Sequence, residues 1–126
     1  LRPMKNKIHF SPEAVNDLDE IWDYISMERC NPSAAQDMVN SILDTADKLT
    51  DFAEIGSLLS SVADIRGNYR FLPSGNHMIF YRVEIKHIYI DRILHGKRDY
   101  LNILMEDIIH YPFLSFSNDS LDPHEY

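Results

Sequence analysis

Cysteine is almost missing from this chain. Cys30 stands alone among 126 residues, so no internal disulfide can form and the cytosol is the default compartment. Glycine is scarce as well: four residues, each isolated, which excludes a glycine-rich loop of the kind that cradles phosphates. No apolar run approaches the roughly 18 residues of a membrane span, so no membrane partner is expected. The opening Leu1-Arg2-Pro3-Met4 holds no apolar stretch of a signal peptide. Leu1 to Pro3, ahead of Met4, read as residues added in front of the domain. Basic residues are in deficit: 12 Lys and Arg face 20 Asp and Glu, for a net charge of -8. Taken whole, that figure disfavours nucleic acid as a partner. What the chain does have is 44% apolar and 11% aromatic residues, enough for a packed core, and a length that supports one domain.

The deficit is uneven. Residues 1–65 hold 5 basic and 12 acidic side chains. Residues 66–105 hold Arg66, Arg70, Arg82, Lys86, Arg92, Lys97 and Arg98 against Glu84, Asp91 and Asp99. Residues 106–126 hold 5 acids and no Lys or Arg. A basic middle therefore lies between two acidic flanks. Such asymmetry fits either an anionic partner for the middle or a sheet whose solvent face carries arginines.

Ser11-Pro12 is a helix start: the serine oxygen can cap free backbone N–H groups, and proline at the first position forgoes a donor that would go unpaired. Val15, Leu18, Ile21, Trp22 and Ile25 then recur at helical spacing, with Glu13, Asp17, Asp19, Glu20 and Asp23 falling on the surface, and the helix is predicted to end near Glu28. Asn31-Pro32 repeats the signal, and Ala35, Met38, Val39, Ile42, Ala46, Leu49 and Phe52 continue a second amphipathic stripe. The short connection predicts a helical hairpin. Residues 54–64 read as a loop. After Gly67 the period becomes two, predicting strands over 68–72, 78–85 and 88–94, joined by Pro73-Ser74-Gly75-Asn76 and a tight Lys86-His87 turn. In the middle strand Ile79, Tyr81, Val83 and Ile85 share one face. Met78, Phe80, Arg82 and Glu84 share the other, whose mixed character predicts partial exposure. Residues 5–10 alternate as a first short strand, and 99–107 suit a short helix. The expected fold is α+β: a helical hairpin packed on a small antiparallel sheet, in the order β-α-α-β-β-β with a short C-terminal helix. The domain spans 4–105, followed by an acidic tail over 106–126 that carries Tyr111, Phe113 and Phe116.

One stretch combines groups that could do chemistry. Arg92-Ile93-Leu94-His95-Gly96-Lys97-Arg98-Asp99-Tyr100 leaves a strand and places His95, Lys97, Arg98 and Tyr100 around a glycine. An imidazole titrating near neutrality can move protons, and fixed cations can hold a phosphate and stabilise its transition state. These are parts of a metal-free phosphodiester-cleaving site; the same spacing fits a strand end whose charges are solvated. Arg66, Arg70 and Arg82 could share a surface with that turn. No paired-ligand spacing links His77, His87, His95 and His110, so neither metal nor cofactor is expected.

The order of elements and several motifs together resemble the RelE/ParE superfamily of bacterial type II toxins, on the plasmid stabilisation (ParE-like) side. The resembling residues are Phe10-Ser11-Pro12-Glu13-Ala14, Asn31-Pro32-Ser33-Ala34-Ala35, Tyr69-Arg70-Phe71-Leu72-Pro73-Ser74-Gly75-Asn76, Ile79-Phe80-Tyr81-Arg82-Val83 and Arg92-Ile93-Leu94-His95-Gly96-Lys97-Arg98-Asp99. The resemblance implies a small toxin with a cognate antitoxin that folds onto it. Members similar to RelE cut mRNA on the ribosome. In that case His95 would be the general base, Arg82 and Arg98 the phosphate clamps, and Tyr100 a further catalytic group. Members similar to ParE poison DNA gyrase by binding. Met78 and Leu104 stand where the RelE-like pattern implies an arginine and an aromatic, and the long hairpin leans toward the ParE side. The implied anionic-partner surface is Arg66, Arg70, Arg82, Arg92, Lys97 and Arg98. The implied antitoxin or self-association surface, in a homodimer or a toxin–antitoxin hetero-oligomer, is Trp22, Ile25, Val39 and Leu43. A binding module that kept the fold without toxicity is the third expectation.

Overall fold

The computed structural model describes residues 5–61, 69–96 and 102–104. Residues 1–3 and the tail over 106–126 lie outside these, as does most of the helix predicted at 99–107, of which residues 102–104 are helical.

Helix α1 (Pro12–Asp23) starts at the predicted cap: Ser11 Oγ accepts from the Ala14 amide at 3.0 Å and donates to the Asp91 carbonyl at 2.7 Å. One hydroxyl thus satisfies a free amide of the helix and ties the helix to a distant strand. A π-helical turn over Tyr24–Glu28 prolongs α1 to the predicted end. Cys30, at φ +50°, then reverses the chain. Helix α2 (Pro32–Asp47) is capped by Asn31, whose Oδ1 accepts from the Ala34 amide at 3.1 Å, and runs into a tight turn at Lys48–Thr50.

Five strands, β1 (Lys7–Phe10), β2 (Ser57–Leu58), β3 (Tyr69–Ser74), β4 (His77–Glu84) and β5 (His87–His95), form one sheet in the order β1-β5-β4-β3-β2. The expected antiparallel sheet is mixed instead. β1 runs parallel to β5, with Ile8 opposite Ile88 and Phe10 opposite Ile90, because the long connection through both helices and then β2, β3 and β4 returns the chain in the same direction. β2 is a second departure: two residues of the expected loop pair with Arg70 and Phe71 of β3. Both hairpins close over two residues, Gly75-Asn76 and Ile85-Lys86, with Ser74 opposite His77 and Glu84 opposite His87. Gly75 and Lys86 take the positive φ that such turns require, +58° and +61°. Ile85 is therefore a turn residue, 87% exposed, rather than a member of the core face.

The hairpin packs on one face of the sheet. Ala14, Ile42, Ala46 and Leu49 meet Ile79, Tyr81, Ile88, Ile90 and Ile93, with Ile8, Phe10, Leu18, Ile21 and Met38 around them. The helical stripe stops at Leu49, and Phe52, expected to continue it, is 62% exposed. On the opposite face Leu59 and Leu104 cover Phe80 and Leu94, with Tyr69, Phe71, Met78 and Ile103 at the margin. That face, expected to be partly exposed, is thus buried at this end. A bulge lies between the two layers: Phe80 pairs with Arg92 and Tyr81 with Ile90, which leaves Asp91 unopposed. Among the described residues no helix is long and apolar enough to cross a membrane.

Candidate functional site

Charged residues from the basic middle are the natural starting point, and the sheet divides them. Cross-strand partners share a face. Arg70 is opposite Tyr81 and Arg82 opposite Tyr69, so these two arginines project from opposite faces. Arg70 Nη1 donates to the Gly56 carbonyl at 2.8 Å and more weakly to that of Glu54 at 3.4 Å. It pins the loop ahead of β2.

Arg82 is 4% exposed. Its Nε donates to Asp91 Oδ2 at 3.0 Å, and its guanidinium carbon lies 5.2 Å from the centre of the Tyr89 ring. Alternation explains the first contact: Asp91 lies two residues beyond Tyr89, which is opposite Arg82, and the bulge leaves it there without a cross-strand partner. Arg92 forms a two-pronged pair with Asp17 of α1, Nε to Oδ2 at 2.8 Å and Nη2 to Oδ1 at 2.9 Å, and Oδ2 also accepts from the Ile93 amide at 2.8 Å. Asp17, read from the sequence as one of several surface acids, is buried. Arg82 and Arg92 accordingly hold the fold together and do not form an open cationic surface.

His95 ends β5 directly opposite His77, the rings meeting edge to face at 5.3 Å. Both line a cleft of about 430 Å³ with Ile21, Ile25, Met38 and Ile93 as apolar walls and Glu20, Tyr24 and Arg29 among its polar ones. His77 is buried, and among the described residues its Nδ1 has no hydrogen-bond partner. Burial, helped by the His95 charge, holds its pKa below the usual histidine value. The cleft lies on the helix side of the sheet. His77 shares that face with Ile79 and Tyr81, whereas Arg82 shares the other with Phe80. Five residues of strand separate His77 from Arg82, roughly 17 Å at 3.3 Å per residue. His95 and Arg82 therefore cannot clamp one phosphate.

Two further clusters carried no sequence signal. Tyr81 Oη donates to the Ala53 carbonyl and accepts from the Gly56 amide, both at 2.9 Å. Burial raises its pKa, and the Gly56 hydrogen bond opposes this. A side chain at position 56 would put Cβ 2.5 Å from that oxygen and 2.7 Å from the Phe71 carbonyl, so only glycine fits. On the other face His9 Nε2 and His87 Nδ1 lie 2.9 Å apart, and the His9 ring stacks on Tyr89 at 4.9 Å. Pairing of β1 with β5, which local patterning cannot reveal, creates this stack.

On the hairpin, Trp22 and Leu43 are 36% and 38% exposed, Val39 is half-buried and Ile25 is buried. Exposed Tyr24 and Met27 extend the apolar surface past the end of α1. Arg66, Lys97, Arg98 and Tyr100 lie outside the described residues. Among the described residues no group of three His, Cys, Asp or Glu side chains could hold a metal ion.

Comparison with known proteins adds a second line. A family model described as ParE toxin of type II toxin-antitoxin system, parDE, matches residues 8–100. Toxin ParE1 of Caulobacter vibrioides is 33% identical over 85 residues, 68% of this chain and 83% of that one. Toxin ParE1 of Mycobacterium tuberculosis is 31% identical over 97 residues, 76% of this chain and 95% of that one. A structure described as the chromosomal ParDE TA system from P. aeruginosa contains a similar chain, with a TM-score of 0.59 at 25% identity, covering 74% of this chain and 98% of that one. The toxin–antitoxin complex RelBE2 from Mycobacterium tuberculosis contains a chain sharing the fold, with a TM-score of 0.51 at 16% identity over 75% of this chain and 94% of that one.

Proposed function

Because the chain belongs to the ParE toxin family of type II toxin–antitoxin systems, we propose that it arrests growth in the cytoplasm by binding DNA gyrase and is neutralised by a cognate antitoxin. The observation that carries binding over RNA cleavage is the split of the candidate nuclease groups. Arg82 is buried against Asp91 on one face, and His95 lines a cleft on the other. A phosphate clamp and a general base must reach one phosphodiester to share a transition state.

With Arg82 and Arg92 held inside, the basic residues proposed to meet an anionic partner are Arg66, Arg70, Lys97 and Arg98. The antitoxin, or a second copy of the chain, is proposed to dock on the hairpin at Trp22, Val39 and Leu43 above buried Ile25. Exposed aromatic and aliphatic side chains on one helical surface suit the apolar stripe of a partner segment that folds on binding.

Purified gyrase is the direct test. The protein should block supercoiling and accumulate cleaved DNA complexes, and the antitoxin should reverse both. Unaffected gyrase would refute this reading. Primer extension on ribosome-bound mRNA tests the nuclease: cuts that disappear with His95→Ala would establish it in place of gyrase inhibition.

A further inference from the structure

The ring of His77 sits badly in a packed interior. It is 7% exposed, its Nδ1 is enclosed without a hydrogen-bond partner, and no hydrogen bond engages its Nε2 among the described residues either. A neutral imidazole carries one donor and one acceptor, and buried polar groups in native folds are nearly always bonded. An apolar side chain at this strand end would avoid the cost. What the ring does reach is the cleft of about 430 Å³, a volume of the size that holds a small molecule. The cleft is a slot between layers: Ile21 of α1, Ile25 of the π-helical turn and Met38 of α2 form one wall, and Ile93 of β5 the other. His77 and His95, edge to face, close its end. The π-helical turn brings the consecutive residues Tyr24 and Ile25 both to the slot, and single π turns inside helices recur at functional sites.

We propose that this slot binds a small flat molecule, a neutral bicyclic heteroaromatic with ring N–H and ring N groups, whose polar edge bonds to the His77 imidazole. Flatness follows from the two layers, whose aliphatic walls take the two faces of a ring system. Neutrality follows from the charges. Burial keeps His77 uncharged at neutral pH. The Asp17 carboxylate is already taken by Arg92 and the Ile93 amide, and exposed Glu20 and Arg29 at the rim offset each other. A donor beside an acceptor follows from the imidazole itself: no hydrogen bond in the described fold fixes its tautomer, so such an edge matches whichever nitrogen carries the proton. The occupant supplies the hydrogen bond that the fold withholds. The proposal is independent of whether gyrase is the target.

Benzimidazole is the probe, and indene, of the same shape without ring nitrogen, is its control. In proton–carbon NMR spectra of the unaltered full chain near neutral pH, benzimidazole should shift the His77 and His95 ring signals and the Met38 methyl, with a Kd of about 1 mM or tighter. Nuclear Overhauser contacts from the probe to Ile21, Ile25 and Met38 should place it in the slot. Indene should bind about tenfold more weakly, the weight of one hydrogen bond. His77→Phe keeps a ring but not its nitrogens, and should bring benzimidazole down about tenfold, to the level of indene. Met38→Trp, which fills the slot, should abolish binding of both. Should either variant fail to fold, the two probes on the unaltered chain decide. No shifts at about 5 mM benzimidazole, Overhauser contacts only to residues away from the slot, or equal affinity for benzimidazole and indene would overturn the proposal.

Discussion

Asp17→Ala is the sharpest test of what holds the hairpin to the sheet. The carboxylate accepts two bonds from Arg92 and one from the Ile93 amide within 2.9 Å, at 4% exposure. Removing it leaves a nearly buried guanidinium without its carboxylate and an amide without its acceptor. Loss of one partner of a buried pair costs about 3–5 kcal/mol, a large part of the ~5–15 kcal/mol that stabilises a typical domain. Unfolding entropy of ~2.1 cal/mol/K per residue gives roughly 0.26 kcal/mol/K for a chain of this length, so about 4 kcal/mol lowers Tm by ~15 °C. Scanning calorimetry of the parent, Asp17→Ala, Arg92→Ala and the double variant would measure it. The double variant should be little worse than either single one, with a coupling of at least ~2 kcal/mol. A Tm loss below ~4 °C for Asp17→Ala, or additive single effects, would refute the reasoning.

Tyr81→Phe keeps the ring in the core but strands the Gly56 amide and the Ala53 carbonyl; denaturant titration should show a loss of about 1–3 kcal/mol. Gly56→Ala must push Cβ against Tyr81 Oη and the Phe71 carbonyl, and should cost about 1–3 kcal/mol as overpacking, whereas Gly75→Ala meets no neighbour and should show only the strain of its positive φ. Because the His77 pKa lies below its ordinary 6.5 in the fold, the unfolded chain takes up this proton first as pH falls. The stability His77 gives is full above about pH 6.5 and is lost as pH falls toward the lowered folded value. Urea midpoints between roughly pH 7.5 and 5.5 should therefore decline, and His77→Leu should flatten the decline; an unchanged slope would exclude His77 as its source.

Local chemistry made much of the fold legible. Ser11-Pro12 and Asn31-Pro32 mark both helix starts because capping is decided within four residues, and alternation places β3, β4 and β5 within two residues of their observed ends. What stayed hidden depends on partners far away in sequence. Nothing in residues 7–10 announces that they pair in parallel with residues 87–90. Asp17 reads as one more surface acid until the fold brings Arg92 beside it, and the bulge at Asp91, which puts Arg92 opposite Phe80, is invisible to strict alternation. For the same reason the basic middle of the sequence overstated the open positive surface: its charge is real, but neighbouring carboxylates hold two of its arginines. Of the candidate nuclease residues, His95 and Arg82 come from neighbouring strands but fall on different faces, a separation that proximity in sequence does not reveal.

Parallel pairing of β1 with β5 also sets the order of events during synthesis. Ile8 meets Ile88, a partner 80 residues downstream. At ~5–20 residues per second the ribosome needs about 4–16 s to bridge that gap. The two helices and the β3–β4 hairpin can form from local contacts meanwhile, but the loop that closes β1 onto the sheet is among the longest in the chain and forms last on entropic grounds. Until it closes, Ile8 and Phe10 have no strand to lie against and the Asp17–Arg92 clasp cannot be made. For most of its translation the chain therefore presents its helical hairpin without the completed sheet, and the last strand pair to close is the one that finishes the core.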